Sequence, residues 1–176
     1  AAPAGSWVAR SNAHAQVGLE FLAKYNPEGA ASLGVDGLDE QIFDLGENIH
    51  QRQMEEAGLL VAELKARLID ETDPKVRQDL QIMIKAGEDY INSSQLEYDN
   101  LLPYLNMPQT IFYVMSGLLD PQVYAARQPA AIVRLRKSAG IEEVYEPINE
   151  LAKARTAERF DTPLLIGQNK GEIEQE

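Results

Sequence analysis

"HQRQMEEAGLLVAELKARLIDETDPKVRQDLQIMIKAGEDYINSS", His50 to Ser94, carries two apolar seams joined by a short polar break. The first runs through His50, Met54, Ala57, Val61, Leu64 and Leu68 in alternating steps of four and three. On a helix of roughly 3.6 residues per turn, that spacing puts these side chains on one face. The second seam, Val76, Leu80, Met83, Gly87, Tyr90 and Ser94, repeats the pattern. Between them, "IDETDP" offers a cap-type aspartate before a proline preset for the first helical position. A connection that short makes the two long helices antiparallel neighbours.

Outward from this pair the other prolines give similar punctuation. Pro27 follows Asn26, Pro121 follows Asp120 and Pro163 follows Thr162, each a cap-type residue ahead of a helix-starting ring. Pro108, Pro129 and Pro147 stand before "QTIFYVMSGLL", "AAIVRLRKSA" and "INELAKARTAERF" in the same way. An amphipathic segment from Ser6 to Tyr25, a short helix "PEGAASLG" and an acidic loop "VDGLDEQIFDLGE" precede the long pair. No stretch sustains period-two alternation of β-branched residues, so no strand is expected. The chain reads as all-α: a single array of antiparallel and crossing helices, two long and central, the rest shorter and proline-started. At 176 residues it is one domain's length, spanning 1–176, and large enough to bury its own core.

Composition narrows the function classes. Hydrophobic residues make up 44% and charged residues 25%, a globular balance that excludes intrinsic disorder. With 16 Lys and Arg against 28 acids the net charge is −12, which repels nucleic-acid phosphates and anionic lipid surfaces. The absence of cysteine removes disulfides, thiolate zinc sites and thiol nucleophiles together. Apolar runs such as "LLVA" at Leu59 to Ala62 are too short for a membrane span. The opening "AAPAGS" is small-residue sequence of the kind left after a signal peptidase, which favours an exported or periplasmic location.

"ENIH", Glu47 to His50, is the sharpest chemical pattern. Glu-x-x-His puts a carboxylate and an imidazole one turn apart, half the site of a di-metal helical bundle. The only other histidine, His14, has Ser11 at the required offset, so the second half is missing. Glu47 and His50 are thus an outside candidate for a metal, against a helix-start glutamate followed by a seam-edge histidine. His14 shares a face with Val17 and Phe21 and reads as a hydrogen-bonded core residue. There is no His-Glu-x-x-His zinc helix and no Gly-rich phosphate loop, and Ser116 lacks the glycine of a nucleophile elbow. The acidic loop Asp36 to Glu47 lacks calcium-loop spacing and reads as solvated. No catalytic residue and no cofactor are assigned to this chain.

Three weaker features remain. Arg127, Arg134, Arg136 and Lys137 form a basic cluster that either binds an anion or complements a helix C-terminus. "YLNMPQTIFYVM" brings Tyr104, Met107, Phe112, Tyr113 and Met115 together as core, or as a contact surface for an apolar ligand or partner. "NSS" at Asn92 to Ser94 is a glycosylation sequon, placed mid-helix.

At "IFYVMSGLLDP", and more strongly at "AAIVRLRKSAG" followed by "YEPINELAKARTAERFDTPLLIGQNKGEIEQE", the sequence resembles the N-terminal part of the bacterial DUF885 family. These are large, mostly helical, often exported proteins similar to zinc metallopeptidases. The resemblance spans most of the chain from "FLAKYNPEGAASLGV" onward and rests on helix-and-proline phrases. Two positions depart from the pattern: Val114, where a small residue is expected, and Ser138, where an aromatic is. The family's zinc helix lies beyond the matched region, so the resemblance carries no ligand or catalytic residue onto this chain. It implies a non-catalytic scaffold or substrate-cleft wall, with zinc confined to a longer parent protein. "GEIEQE" continues in the family into a further helix, so Glu176 reads as a cut, and the partner is the remainder of the parent protein or a second copy. The competing expectation is a self-sufficient helical binding module with an apolar ligand or protein partner.

Overall fold

The computed structural model describes residues 5–101, 106–142 and 144–160; Tyr104, the helix start at Pro163 and the "GQNKGEIEQE" ending lie outside them. Among the described residues the protein is all-α, as expected. Its elements are α1 (Trp7–Tyr25), α2 (Pro27–Ser32), α3 (Ile49–Asp70), α4 (Pro74–Asn100), α5 (Met107–Leu119), a 3₁₀ turn (Ala125–Arg127), α6 (Ala130–Ser138) and α7 (Ile148–Phe160). They fall into two compact units, one of Ala1–Leu38 and Ile49–Leu101, the other of Asp39–Asn48 and Leu102–Glu176.

In the first unit α3 and α4 form the long antiparallel pair, α1 lies against both, and α2 packs on α1. Only Glu71, Thr72 and Asp73 separate α3 from α4. Asp73 caps α4 by accepting the Lys75 N–H at 3.0 Å. Arg77 folds back and donates to the Leu68 and Glu71 carbonyls, each at 2.7 Å, satisfying one acceptor in the last turn of α3 and one in the connection that follows. Asn26 links α1 to α2 in the same economical way: its N–H donates to Leu22 at 2.7 Å and its side chain accepts from Gly29 at 2.9 Å.

The core of this unit is Val61, Leu64, Val76, Leu80 and Ile84, with Val17, Leu60, Leu68, Met83 and Ile91 packed around it. The α3 seam is as expected. On α4, Ile84 takes the buried place that the seam assigned to Met83, because α3 covers α4 on one side and α1 on another, and the buried stripe is wider than one seam. Gly87 marks a close approach of the pair: a Cβ built there would lie 2.6 Å from Val61 Cγ2.

In the second unit, Asn106 caps α5 by accepting the Gln109 N–H at 3.2 Å, which makes Pro108 the second helical residue instead of the first. Pro129 and Pro147 immediately precede α6 and α7. Pro121 does not start an α-helix. Asp120 instead takes the Gln122 N–H on its carboxylate at 2.7 Å and the Val123 N–H on its carbonyl at 2.9 Å, forming a turn. Asp-Pro suits the first two positions of a β-turn as well as a helix start, and Pro129 leaves little length for a helix between them. Helix α6 closes on Gly140 at φ +67, with the Ile141 N–H bonded to Arg136 at 2.9 Å and the Gly140 N–H to Lys137 at 3.0 Å. Leu118, Ala130, Ala131 and Met115 join α5 to α6. Leu45, Met107, Ile148 and Ala152, with Phe43, Ile111 and Leu151, join α5 to α7 and to the 39–48 segment.

Candidate functional site

The Glu-x-x-His pattern does not become a one-face pair. Helix α3 begins at Ile49, Glu47 lies in the preceding turn, and Asn48 has φ +53. Asparagine is among the few residues that tolerate this left-handed region, and Asp44 steadies the turn by accepting the Gly46 N–H at 2.6 Å. His50 packs instead against the end of α4. Its ring stacks on Tyr98 with centroids 3.9 Å apart and planes 8° from parallel, and its Nε2 is 3.4 Å from Gln95 Oε1. This is the seam-edge role.

His14 joins α1 to the α3–α4 connection. Its Nδ1 lies 3.4 Å from Arg67 Nη1, a donor, so that nitrogen is the acceptor; Nε2 faces Glu71 Oε2 at 3.8 Å. Arg10 reaches Glu71 at 3.7 Å and Asp73 at 2.9 Å. The Asp73 N–H, bonded to Glu71 Oε1 at 2.8 Å, is the main cause that holds the Glu71 carboxyl below its ordinary range; the Thr72 N–H and Arg10 add to it, and desolvation opposes them. At the far end of α1, Lys24 pairs with Glu56, which lowers the carboxyl and raises the ammonium. These groups fasten helices to one another.

Of the apolar candidates, Tyr104 lies outside the described residues. Met107 is buried in the α5–α7 cluster and Met115 packs against the α5–α6 cluster. Phe112 and Tyr113 point outward, 64% and 63% exposed, with their rings edge to face at 5.7 Å. The four described side chains therefore serve three environments, and the outward aromatic pair is the part left free for contact. A shallow depression along α4, bordered by Gln78, Ile82, Lys85 and Asp89, is an open space between side chains of one helix.

The basic cluster has the most developed geometry. Arg127 grips Asp39 through two parallel bonds, Nε to Oδ2 at 2.8 Å and Nη2 to Oδ1 at 2.7 Å. Arg127 is the main reason the Asp39 carboxyl sits below its ordinary value. Arg134, buried at 3% exposure, donates from Nε to the Gln41 carbonyl at 3.0 Å and from Nη1 to the Val114 carbonyl at 3.3 Å. Lys137 donates to the Glu40 carbonyl at 2.7 Å. Arg136 pairs with Glu142 at 2.8 Å. The acidic loop is therefore a strap drawn against α5, α6 and α7, and the cluster's anionic and carbonyl partners belong to the protein itself. In the sequence, the signals for this were the Phe43-Asp44-Leu45 alternation and the excess of acids facing a chain segment rich in cations.

Among the described residues no group of three or more His, Asp or Glu side chains is arranged to hold a metal ion, and no helix is long and apolar enough to cross a membrane. No family model, curated protein or solved structure matches the chain.

Proposed function

We propose that this chain is a non-catalytic helical scaffold, a support or wall of a substrate cleft, within a DUF885-like, zinc metallopeptidase-like protein. The observation that carries this is the apolar exterior of the second unit, which contains the stronger phrases of the resemblance. Phe112, Tyr113, Leu119, Tyr124, Ile132 and Ile141 are each at least 55% exposed. Exposed large apolar side chains, with Phe112 and Tyr113 in contact, offer surface for another segment or chain to cover. Arg127, Arg134 and Lys137 of that unit are engaged in holding the strap.

Two measurements test the two halves of the proposal. The purified 176-residue chain, supplied with zinc, is expected to show no zinc-dependent cleavage of a mixed peptide library; stoichiometric zinc uptake with cleavage overturns the non-catalytic role. The intact mass of the protein made by its source is expected to exceed 19.5 kDa clearly. A mass equal to it overturns the parent-protein role. The exposed Phe112–Tyr113 pair specifically favours a second reading, a self-sufficient interaction module, which retention of an apolar molecule or a stoichiometric partner through purification would support.

A further inference from the structure

We propose that the face of the second unit formed by α5, α6 and α7 is a peptide-binding groove whose resident occupant is the 39–45 strap. Its partner is an acidic peptide of the same pattern: an aspartate, an aromatic residue four positions on, and a leucine six positions on. This inference is independent of the family resemblance.

The contacts divide as those of a recognition site do. Arg127 reads one carboxylate with its planar fork, a geometry that a neutral side chain does not reproduce. Arg134 and Lys137 donate to main-chain carbonyls of Gln41 and Glu40, so they hold the backbone whatever its side chains are. Phe43 and Leu45, two residues apart, both pack into the Met107, Ile148 and Ala152 cluster. A carboxylate fork, a main-chain clamp and two apolar anchors together define both affinity and sequence preference.

Arg134 is buried and bonds both the strap, at the Gln41 carbonyl, and α5, at the Val114 carbonyl, so its guanidinium has an anchor in the helices as well as a partner in the strap. The charges are complementary: residues 39–48 carry Asp39, Glu40, Asp44 and Glu47 and no base, against Arg127, Arg134 and Lys137. The strap is short, contains no helix or strand, and runs between Gly37 at φ +81 and Asn48 at φ +53. Tethered at both ends, it competes with an incoming peptide at an effective concentration on the order of millimolar, so a partner enters when the strap is displaced.

The test uses the full chain and a fluorescently labelled peptide, DGLDEQIFDLGEN, covering residues 36–48. Asp39→Ala, Phe43→Ser and Leu45→Ser together disarm the resident strap. Wild-type protein is expected to show no saturable binding at micromolar concentration, and the disarmed chain is expected to bind the peptide but not a scrambled version. Adding Arg127→Ala to the disarmed chain should weaken binding roughly tenfold. A folded disarmed chain that ignores the peptide, or binds the scrambled one equally, overturns the proposal. If the disarmed chain is unfolded, the peptide and not its scrambled form should restore helical circular dichroism; no recovery at millimolar peptide overturns it too. Wild-type dimers that the disarming substitutions abolish would make the occupant a second copy and overturn the assignment to a partner peptide.

Discussion

Gly58 and Gly87 occupy the interiors of neighbouring helices, yet an added methyl group acts with opposite sign at the two. At Gly58 a Cβ meets nothing within 4 Å, so Gly58→Ala only removes backbone freedom from the unfolded chain. It is expected to stabilise the protein by roughly 0.5–1 kcal/mol. At Gly87 the same gain is outweighed by a contact of 2.6 Å with Val61 Cγ2. Val61 is β-branched and held to one helical rotamer, so it cannot swing aside, and Gly87→Ala is expected to cost about 1–2 kcal/mol net. Pairing it with Val61→Ala should give a loss smaller than the sum of the two single losses; denaturant titration of the single and double variants checks both sign and coupling. The seam from Val76 to Ser94 placed Gly87 on the buried face, but nothing in the sequence distinguished a glycine needed for close approach from one that is merely tolerated.

Asp39 is a residue whose effect depends on pH. The Arg127 fork lowers its carboxyl from an ordinary value of 3.8, against the opposing influence of burial. A depressed carboxyl contributes stability that is present above the unfolded value and is lost as pH falls through the folded one. Asp39→Asn is therefore expected to cost about 1 kcal/mol at neutral pH, discounted for partial exposure of both partners, and progressively less below about pH 4. Thermal melts of both proteins at pH 7 and pH 3 should show the gap closing; a gap that stays constant would place the contribution in packing.

At the scale of the element, helix starts were the most legible feature. Asn26–Pro27 and Asp73–Pro74 do what their chemistry dictates, a side-chain oxygen taking a free N–H beside a ring already at helical φ. Asp120–Pro121 carries the same letters and makes a turn, because the local signal is shared by both outcomes and the following chain decides between them. Asp73 does more than cap: it also takes Arg10 at 2.9 Å. Replacing it separates the two contributions. Asp73→Asn keeps a capping oxygen and loses the charge, so it is expected to cost a few tenths of a kcal/mol; Asp73→Ala loses both and is expected to cost about 1–2 kcal/mol. Equal losses in chemical denaturation would show that the Arg10 pair, not the cap, carries the effect. The one-turn pairing that "ENIH" offered as an outside candidate is not formed, for a related reason. The helical register it needs starts at Ile49, two residues after Glu47, and the seam that marks the helix interior does not locate its first residue.

For the whole molecule, the all-α class followed from seams and prolines, because both are local. The strap and the division into two units did not, because they depend on contacts such as Asp39 with Arg127 between residues far apart in sequence. The exposed apolar side chains of the second unit are likewise invisible to periodicity, since Phe112 and Tyr113 lie in the same run as the buried Met107 and Leu118. Their exposure leads to an expectation about association. A net charge of −12 opposes the meeting of two copies, whereas burial of aromatic surface favours it. If apolar contact is the driving force, sedimentation velocity should show association that rises with concentration and strengthens when salt screens the repulsion. Phe112→Ser with Tyr113→Ser should reduce it roughly tenfold or more while leaving stability within about 0.5 kcal/mol, as befits exposed positions. Association that weakens with salt would identify ion pairing as its source, and a strictly monomeric chain at high micromolar concentration would remove self-association from the roles of this surface.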